Sequence, residues 1–102
     1  MRRSVLAAAL AVATMTTLAP AASAGPIERA CMAAGRGATA ALCGCIQKVA
    51  DSLLDGAEQR LASTFFADPH KAQEVRMSDR ADHARFWDTY KVFGAQAEAF
   101  CR

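Results

Sequence analysis

The sequence predicts an all-α fold: a small disulfide-stapled bundle of about four to five short helices behind a cleavable signal peptide. Three observations predict it. After residue 24 no window alternates apolar and polar residues for long, and helix formers such as Ala, Leu, Glu and Gln dominate. Proline and glycine fall where helices begin and end. Four cysteines in a short exported chain are typical of a disulfide framework.

The first 24 residues have the three parts of a secretory signal. Arg2 and Arg3 supply positive charge, Val5 through Leu18 is an uncharged apolar run, and Ala22-Ser23-Ala24 fits the small-x-small cleavage pattern. A membrane anchor is the alternative, but the run is shorter than the roughly 20 apolar residues of a comfortable span. We expect cleavage before Gly25, export by the ordinary secretory rather than the twin-arginine route, and before cleavage a helix that does not pack on the domain.

Residues 25–102 then form one small domain without net charge. Removing residues 1–24 takes two arginines from the 12 basic residues and none of the 10 acidic ones, so the two signs balance. A neutral surface gives no electrostatic reason to expect nucleic acid or an anionic membrane as partner. A domain this small buries little apolar area, so we expect disulfides to supply part of its stability.

The first two helices are marked by their ends. The first is predicted from Pro26, which is favoured at a first helical position, to the Gly35 and Gly37 turn. The second is predicted from about Thr39 to Leu54. Its expected core face consists of Leu42, Cys45, Ile46, Val49 and Leu53.

The third and fourth helices follow capping signals. Asp55 and Glu58 resemble a capping box, which predicts a helix over about Gly56 to Ala67 that buries Leu61, Phe65 and Phe66. Asp68-Pro69 is a second start signal, for a short helix that reaches about Met77. Its candidate core contacts are Ala72, Val75 and Met77.

The last helix is expected to be the longest, from about Asp79 to Cys101 with Ser78 as its cap. Gly94 is a place where it could bend or split. Along this helix, apolar and mostly aromatic residues recur at steps of four and three and form a stripe on one face. We interpret this aromatic stripe as core rather than as a ligand groove. The stripe comprises Phe86, Tyr90, Phe93, Ala97 and Phe100, and its expected packing partners are Leu42, Ile46, Val49 and Leu61.

Cys43-Gly44-Cys45 restricts the disulfide pairing. Helical residues two apart point about 200° apart, so these two sulfurs each need a different partner. Cys31 pairs with Cys43 or Cys45, and Cys101 takes the other. We favour Cys31–Cys43 with Cys45–Cys101. If the first two helices form a hairpin about the glycine turn, the position opposite Cys31 on the second helix is close to Cys43.

Sites for chemistry are sparse. A zinc or copper site from the Cys-x-Cys pair with His70 or His83 is one alternative, and a thiol oxidoreductase is another. The sequence has no Cys-x-x-Cys to support the metal site or the oxidoreductase, and no phosphate loop or nucleophile elbow to support another enzyme class. We therefore expect no catalytic residues, no bound metal and no cofactor. The candidate surface contacts are Trp87, Asp79, Asp82 and His83.

Five blocks carry a resemblance to a known family: 25–31, 42–47 with its Cys-Gly-Cys, 65–70, Phe86-Trp87 and the closing Cys101. The chain resembles small exported bacterial proteins of unassigned activity, some automatically labelled "arginine transporter". The resemblance implies no catalytic residues. It leaves open an accessory role beside a transporter, with Asp79 and Asp82 as carboxylates for a guanidinium group.

The sequence therefore predicts a non-enzymatic periplasmic protein that acts as a binding or accessory module with an unidentified protein partner. The alternative is a small-ligand or transport-accessory protein that takes arginine or a metal ion.

Overall fold

The computed structural model describes residues 7–15 and 24–102. Five helices and no strand occur in these residues: α1 (Pro26–Ala34), α2 (Ala40–Leu53), α3 (Gly56–Ala67), α4 (Pro69–Arg76) and α5 (Ala81–Phe100). The all-α class is confirmed. None of the described helices is long and apolar enough to cross a membrane.

The prediction of a helix in the apolar run of the signal segment is wrong for residues 7–15, the part of that run that the structure describes. Residues 7–15 are exposed and have no regular secondary structure. A short helix without a packing partner is marginal in water, which accounts for the difference. Most of the signal features, including Arg2, Arg3 and Ala22-Ser23, lie outside the described residues.

Local capping determines most helix ends. Asp55 and Glu58 form a complete capping box at the start of α3, and the side chains of Thr39 and Asp68 cap α2 and α4. The predicted start of α5 is two residues early. The Ser78 hydroxyl accepts from the Arg80 N–H at 3.2 Å, so Ser78 closes a turn ahead of the helix, and Arg80 becomes its N-cap residue. Gly94 lies inside an unbroken α5.

The helices pack around one apolar core. Helix α1 contacts both α2 and α3, α2 packs on α5, and α4 contacts α3 and α5. The core consists of Ile27, Ala50, Leu54, Ala62, Phe65, Val75, Phe86 and Phe93. Met77, expected in it, is 79% exposed, because α4 ends at Arg76 and Met77 lies in the turn that follows the helix.

Helix α2 buries a different face from the one predicted. The apolar face expected to enter the core, including Ile46 and Val49, is only half-buried. The most buried side chains of α2 are Cys43, Gln47 and Ala50. They face α1 and α3, because Cys43 is bonded to α1 and Gln47 bonds to both helices. Helix α2 therefore has neighbours on two sides.

The aromatic stripe of α5 is core for most of its length. Phe86 and Phe93 are buried, and Phe65 of α3 packs edge-on against Phe86 and Tyr90 at 5.9 and 5.2 Å between ring centroids. Ile46, Val49 and Leu61 pack against this core as expected, whereas Leu42 lies outside it. Phe100 was expected in the core and is instead 71% exposed.

Candidate functional site

The two disulfides fix the relative positions of three helices. Cys31–Cys43 joins α1 to α2, with 5.6 Å between Cα atoms, and Cys45–Cys101 joins α2 to the end of α5 at 5.7 Å. This is the pairing that helix geometry favoured. All four cysteines are bonded in these two disulfides, so in this oxidised state none of them is a thiolate ligand for a metal.

A buried polar network joins α1, α2 and α3. The Gln47 amide oxygen accepts from the Glu28 N–H at 2.9 Å, and its Nε2 donates to Gln59 Oε1 and Asp51 Oδ1, both at 2.8 Å. Gln59 Nε2 donates to Asp51 Oδ1 and the Leu54 carbonyl. Every amide group of the two glutamines has a partner, which buried amides need. Hydrophobic periodicity gives no sign of this network, because it identifies only apolar residues as core.

Gly25 is required by the same network. Its φ is −69°, so any residue could adopt its backbone conformation. A Cβ at this position would, however, collide with the amide of Gln47. Gly25 is also the residue expected to follow signal cleavage, so α1 begins one residue after the expected mature N-terminus.

The charged candidates gather near the start of α5. Arg80 binds both carboxylate oxygens of Asp82, with Nε–Oδ1 3.1 Å and NH2–Oδ2 2.7 Å. This hydrogen bond with the Arg80 guanidinium lowers the pKa of Asp82 below its ordinary value. Asp79 is exposed. An arginine ligand would therefore compete with the chain's own guanidinium for Asp82.

His83 lies beside this pair in an open cavity of about 440 Å³, also lined by Glu58 and Arg85. The His83 Nδ1 atom is buried and has no hydrogen-bond partner among the described residues. The lining mixes carboxylates and guanidinium groups, so it presents no single charge to a ligand. No group of three potential metal ligands occurs within the described ranges 7–15 and 24–102.

Trp87, proposed as a surface contact, is only half-buried and packs on the core. Its ring centroid lies 5.3 Å from that of Tyr90. Burial raises the pKa of Tyr90, which is also half-buried.

The apolar surface that stands out lies along the contact between α2 and α5. We call it the α2–α5 patch, and it comprises Val49, Leu53, Val92 and Phe100 around a shallow cavity of about 210 Å³. Val92 and Phe100 are 49% and 71% exposed. Positions 92, 96 and 100 are four apart and so share one face of α5. Among the residues that the structure describes, no charged one lines the cavity, since the remaining lining residues are Ser52 and Gln96.

The exposure of Phe100 follows from the neighbouring disulfide. The bridge turns Cys101 toward Cys45 of α2. Phe100 is the last helical residue of α5, directly before Cys101, and its side chain is left at the outer edge of the contact. The same bridge holds the end of α5 against α2, so the patch is presented on a fixed surface.

The chain was compared with protein-family models, curated proteins and solved structures. None of them matches it. Its function is therefore inferred from the geometry of its own residues.

Proposed function

We propose that this chain is a non-enzymatic binding module of the bacterial periplasm that acts by protein–protein contact through the α2–α5 patch. The observation that supports this proposal is the exposure of Phe100 and Val92 where the Cys45–Cys101 disulfide holds the end of α5 against α2. Single exposed apolar side chains are ordinary, whereas contiguous apolar patches mark interaction sites. An aromatic side chain at such a position is typical of residues that anchor interfaces.

The chemistry of the patch indicates its partner. Its cavity is lined by apolar side chains, one serine and one glutamine, without a charge. Such a surface is complementary to an apolar face of another protein, such as an amphipathic helix, rather than to a charged small molecule.

Two observations support the proposed location. All four cysteines are oxidised, and disulfides persist in exported compartments. Residues 1–24 have the composition of a signal peptide. Mass spectrometry of material recovered from the periplasm should give Gly25 as the N-terminal residue. A mature chain that retains the apolar run would make the protein membrane-anchored.

Site-specific photo-crosslinking in living cells tests the interface. A crosslinking phenylalanine analogue at position 100 or 92 should yield the same discrete adduct from both positions. Met77 is the matched control, because it is an apolar residue 79% exposed and outside the patch. An adduct of twice the chain mass would indicate self-association instead. Equal crosslinking from position 77, or none from 100 and 92, would contradict the proposal.

Calorimetry distinguishes the alternative of a small-ligand or transport-accessory protein. The oxidised protein should show no saturable binding of arginine, zinc or copper. Saturable micromolar binding of one of them would replace the protein-contact proposal. For arginine, Asp82→Asn compared with Asp88→Asn would show whether the Asp82 carboxylate is involved, because Asp88 is an acidic residue of α5 outside that cavity.

A further inference from the structure

A third cavity, of about 460 Å³, opens between the α1–α2 turn, the end of α3 and α5. Its walls are largely apolar and include Leu42, Ile46, Phe66 and Pro69, with Tyr90 at one side. Its volume lies within the range of small-molecule sites, roughly 300–1,000 Å³. It shares no lining residue with the α2–α5 patch, so it is a separate surface.

Of the residues in 7–15 and 24–102, one charged residue, Arg36, lines this cavity, and no acidic residue does. Arg36 is the central residue of a tight turn in which the Gly37 N–H donates to the Gly35 carbonyl at 2.9 Å. Gly35 and Gly37 have φ of +68° and +67°, a conformation that other residues adopt only with strain. The two glycines thus hold the arginine backbone in place at the cavity.

The guanidinium group is only partly used within the protein. Its NH2 donates to the Phe66 carbonyl at 2.9 Å, which keeps the side chain beside the end of α3. A guanidinium has five N–H donors, and no carboxylate pairs with Arg36 among the described residues. Positive charge and unused donors therefore remain at the mouth of an apolar cavity.

We infer that this cavity binds a small amphipathic carboxylate, with its apolar body against Leu42, Ile46 and Phe66 and its carboxylate on Arg36. A single guanidinium matches a monoanionic carboxylate in charge and in planar geometry. The lining disfavours free arginine, because its two cationic groups would find no acidic partner among the described residues of the cavity. The inference adds a ligand class to the protein and does not depend on the α2–α5 patch.

Decanoate, kept below its micelle concentration, is a suitable probe for calorimetry on the full chain recovered in oxidised form. It should bind saturably at one site. Arg36→Gln should weaken binding by about tenfold to hundredfold, the effect of losing a charge-assisted hydrogen bond. Arg36→Lys should recover part of the loss because it keeps the charge. Arg76→Gln removes the same charge from an exposed position outside the cavity and should leave the affinity unchanged.

Decanol and a blocking variant separate the contributions of charge and shape. Decanol has the same chain without the charge, so it should bind to the wild type more weakly than decanoate does. On Arg36→Gln the two compounds should bind with equal affinity. Ala38→Phe places a ring in the cavity without altering a helix, so it should abolish binding even if the Arg36 variants fold poorly. The inference is overturned by an absence of saturable binding, by equal affinity for decanol, by equal losses in Arg36→Gln and Arg76→Gln, or by full binding to Ala38→Phe.

Discussion

Replacing Gln47 with leucine should destabilise the protein although it puts an apolar residue into a buried position. Gln47 is 6% exposed and makes three side-chain hydrogen bonds. Leucine removes all three, which leaves the Glu28 N–H and the Gln59 amide oxygen without partners. Asp51 is exposed, so water replaces its lost bond.

The size of the effect follows from these two orphaned groups. Each unsatisfied buried group costs about 1–3 kcal/mol, and the added apolar burial of leucine offsets about 1–2 kcal/mol. We expect Gln47→Leu to lower the free energy of unfolding by about 1–4 kcal/mol, a large share of the 5–15 kcal/mol typical of a domain. Urea denaturation of the oxidised protein, followed by circular dichroism, measures it.

A matched control and a double variant make this prediction specific. Gln73→Leu changes an exposed glutamine of α4 and should stay within about 0.5 kcal/mol of wild type. Gln47→Leu with Gln59→Leu removes both partners of the shared bond, so its loss should be smaller than the sum of the single losses by about 1 kcal/mol or more. A Gln47→Leu loss no larger than that of Gln73→Leu, or strict additivity, would refute the network as a source of stability.

Three further predictions concern the core, the longer disulfide and Asp82. Phe93→Ala should cost about 3–5 kcal/mol in urea unfolding because Phe93 is buried, whereas Val92→Ala beside it should cost less than about 1 kcal/mol; similar losses would mean that the stripe is not core. Breaking Cys45–Cys101 with Cys45→Ser and Cys101→Ser should cost about 4 kcal/mol on the chain-entropy model for its separation of 56 residues, and a loss under about 1 kcal/mol would contradict that role. The pKa of Asp82, followed by NMR, should lie below the ordinary aspartate value. This carboxylate therefore stabilises the fold at pH values above its pKa in the unfolded chain, and the effect is lost as the pH falls through its pKa in the folded protein. Arg80→Gln should raise that pKa, and an unchanged value would exclude Arg80 as the cause.

The features that could be predicted from the sequence depend on short-range chemistry. Pro26 and the Gly35–Gly37 turn delimit α1, and the capping box of Asp55 and Glu58 starts α3. These signals act within a few residues, so they need no knowledge of the rest of the fold. The helical rotation between Cys43 and Cys45 excludes a bond between their sulfurs, and the position of Cys31 across the glycine turn from Cys43 favours the observed pairing.

Which helix faces are covered, and which polar groups meet, depends instead on how the helices pack together. Hydrophobic periodicity describes one helix at a time, so it placed Phe100 in the core with Phe93 and left Gln47 outside it. Exposure of Phe100 depends on where α2 lies relative to the end of α5, and burial of Gln47 depends on partners in α1 and α3. Arg36 belongs to a cavity only because the turn that holds it meets the end of α3. By itself, the sequence therefore determined the helices and their covalent links, whereas the candidate sites arise from contacts between residues far apart in the chain.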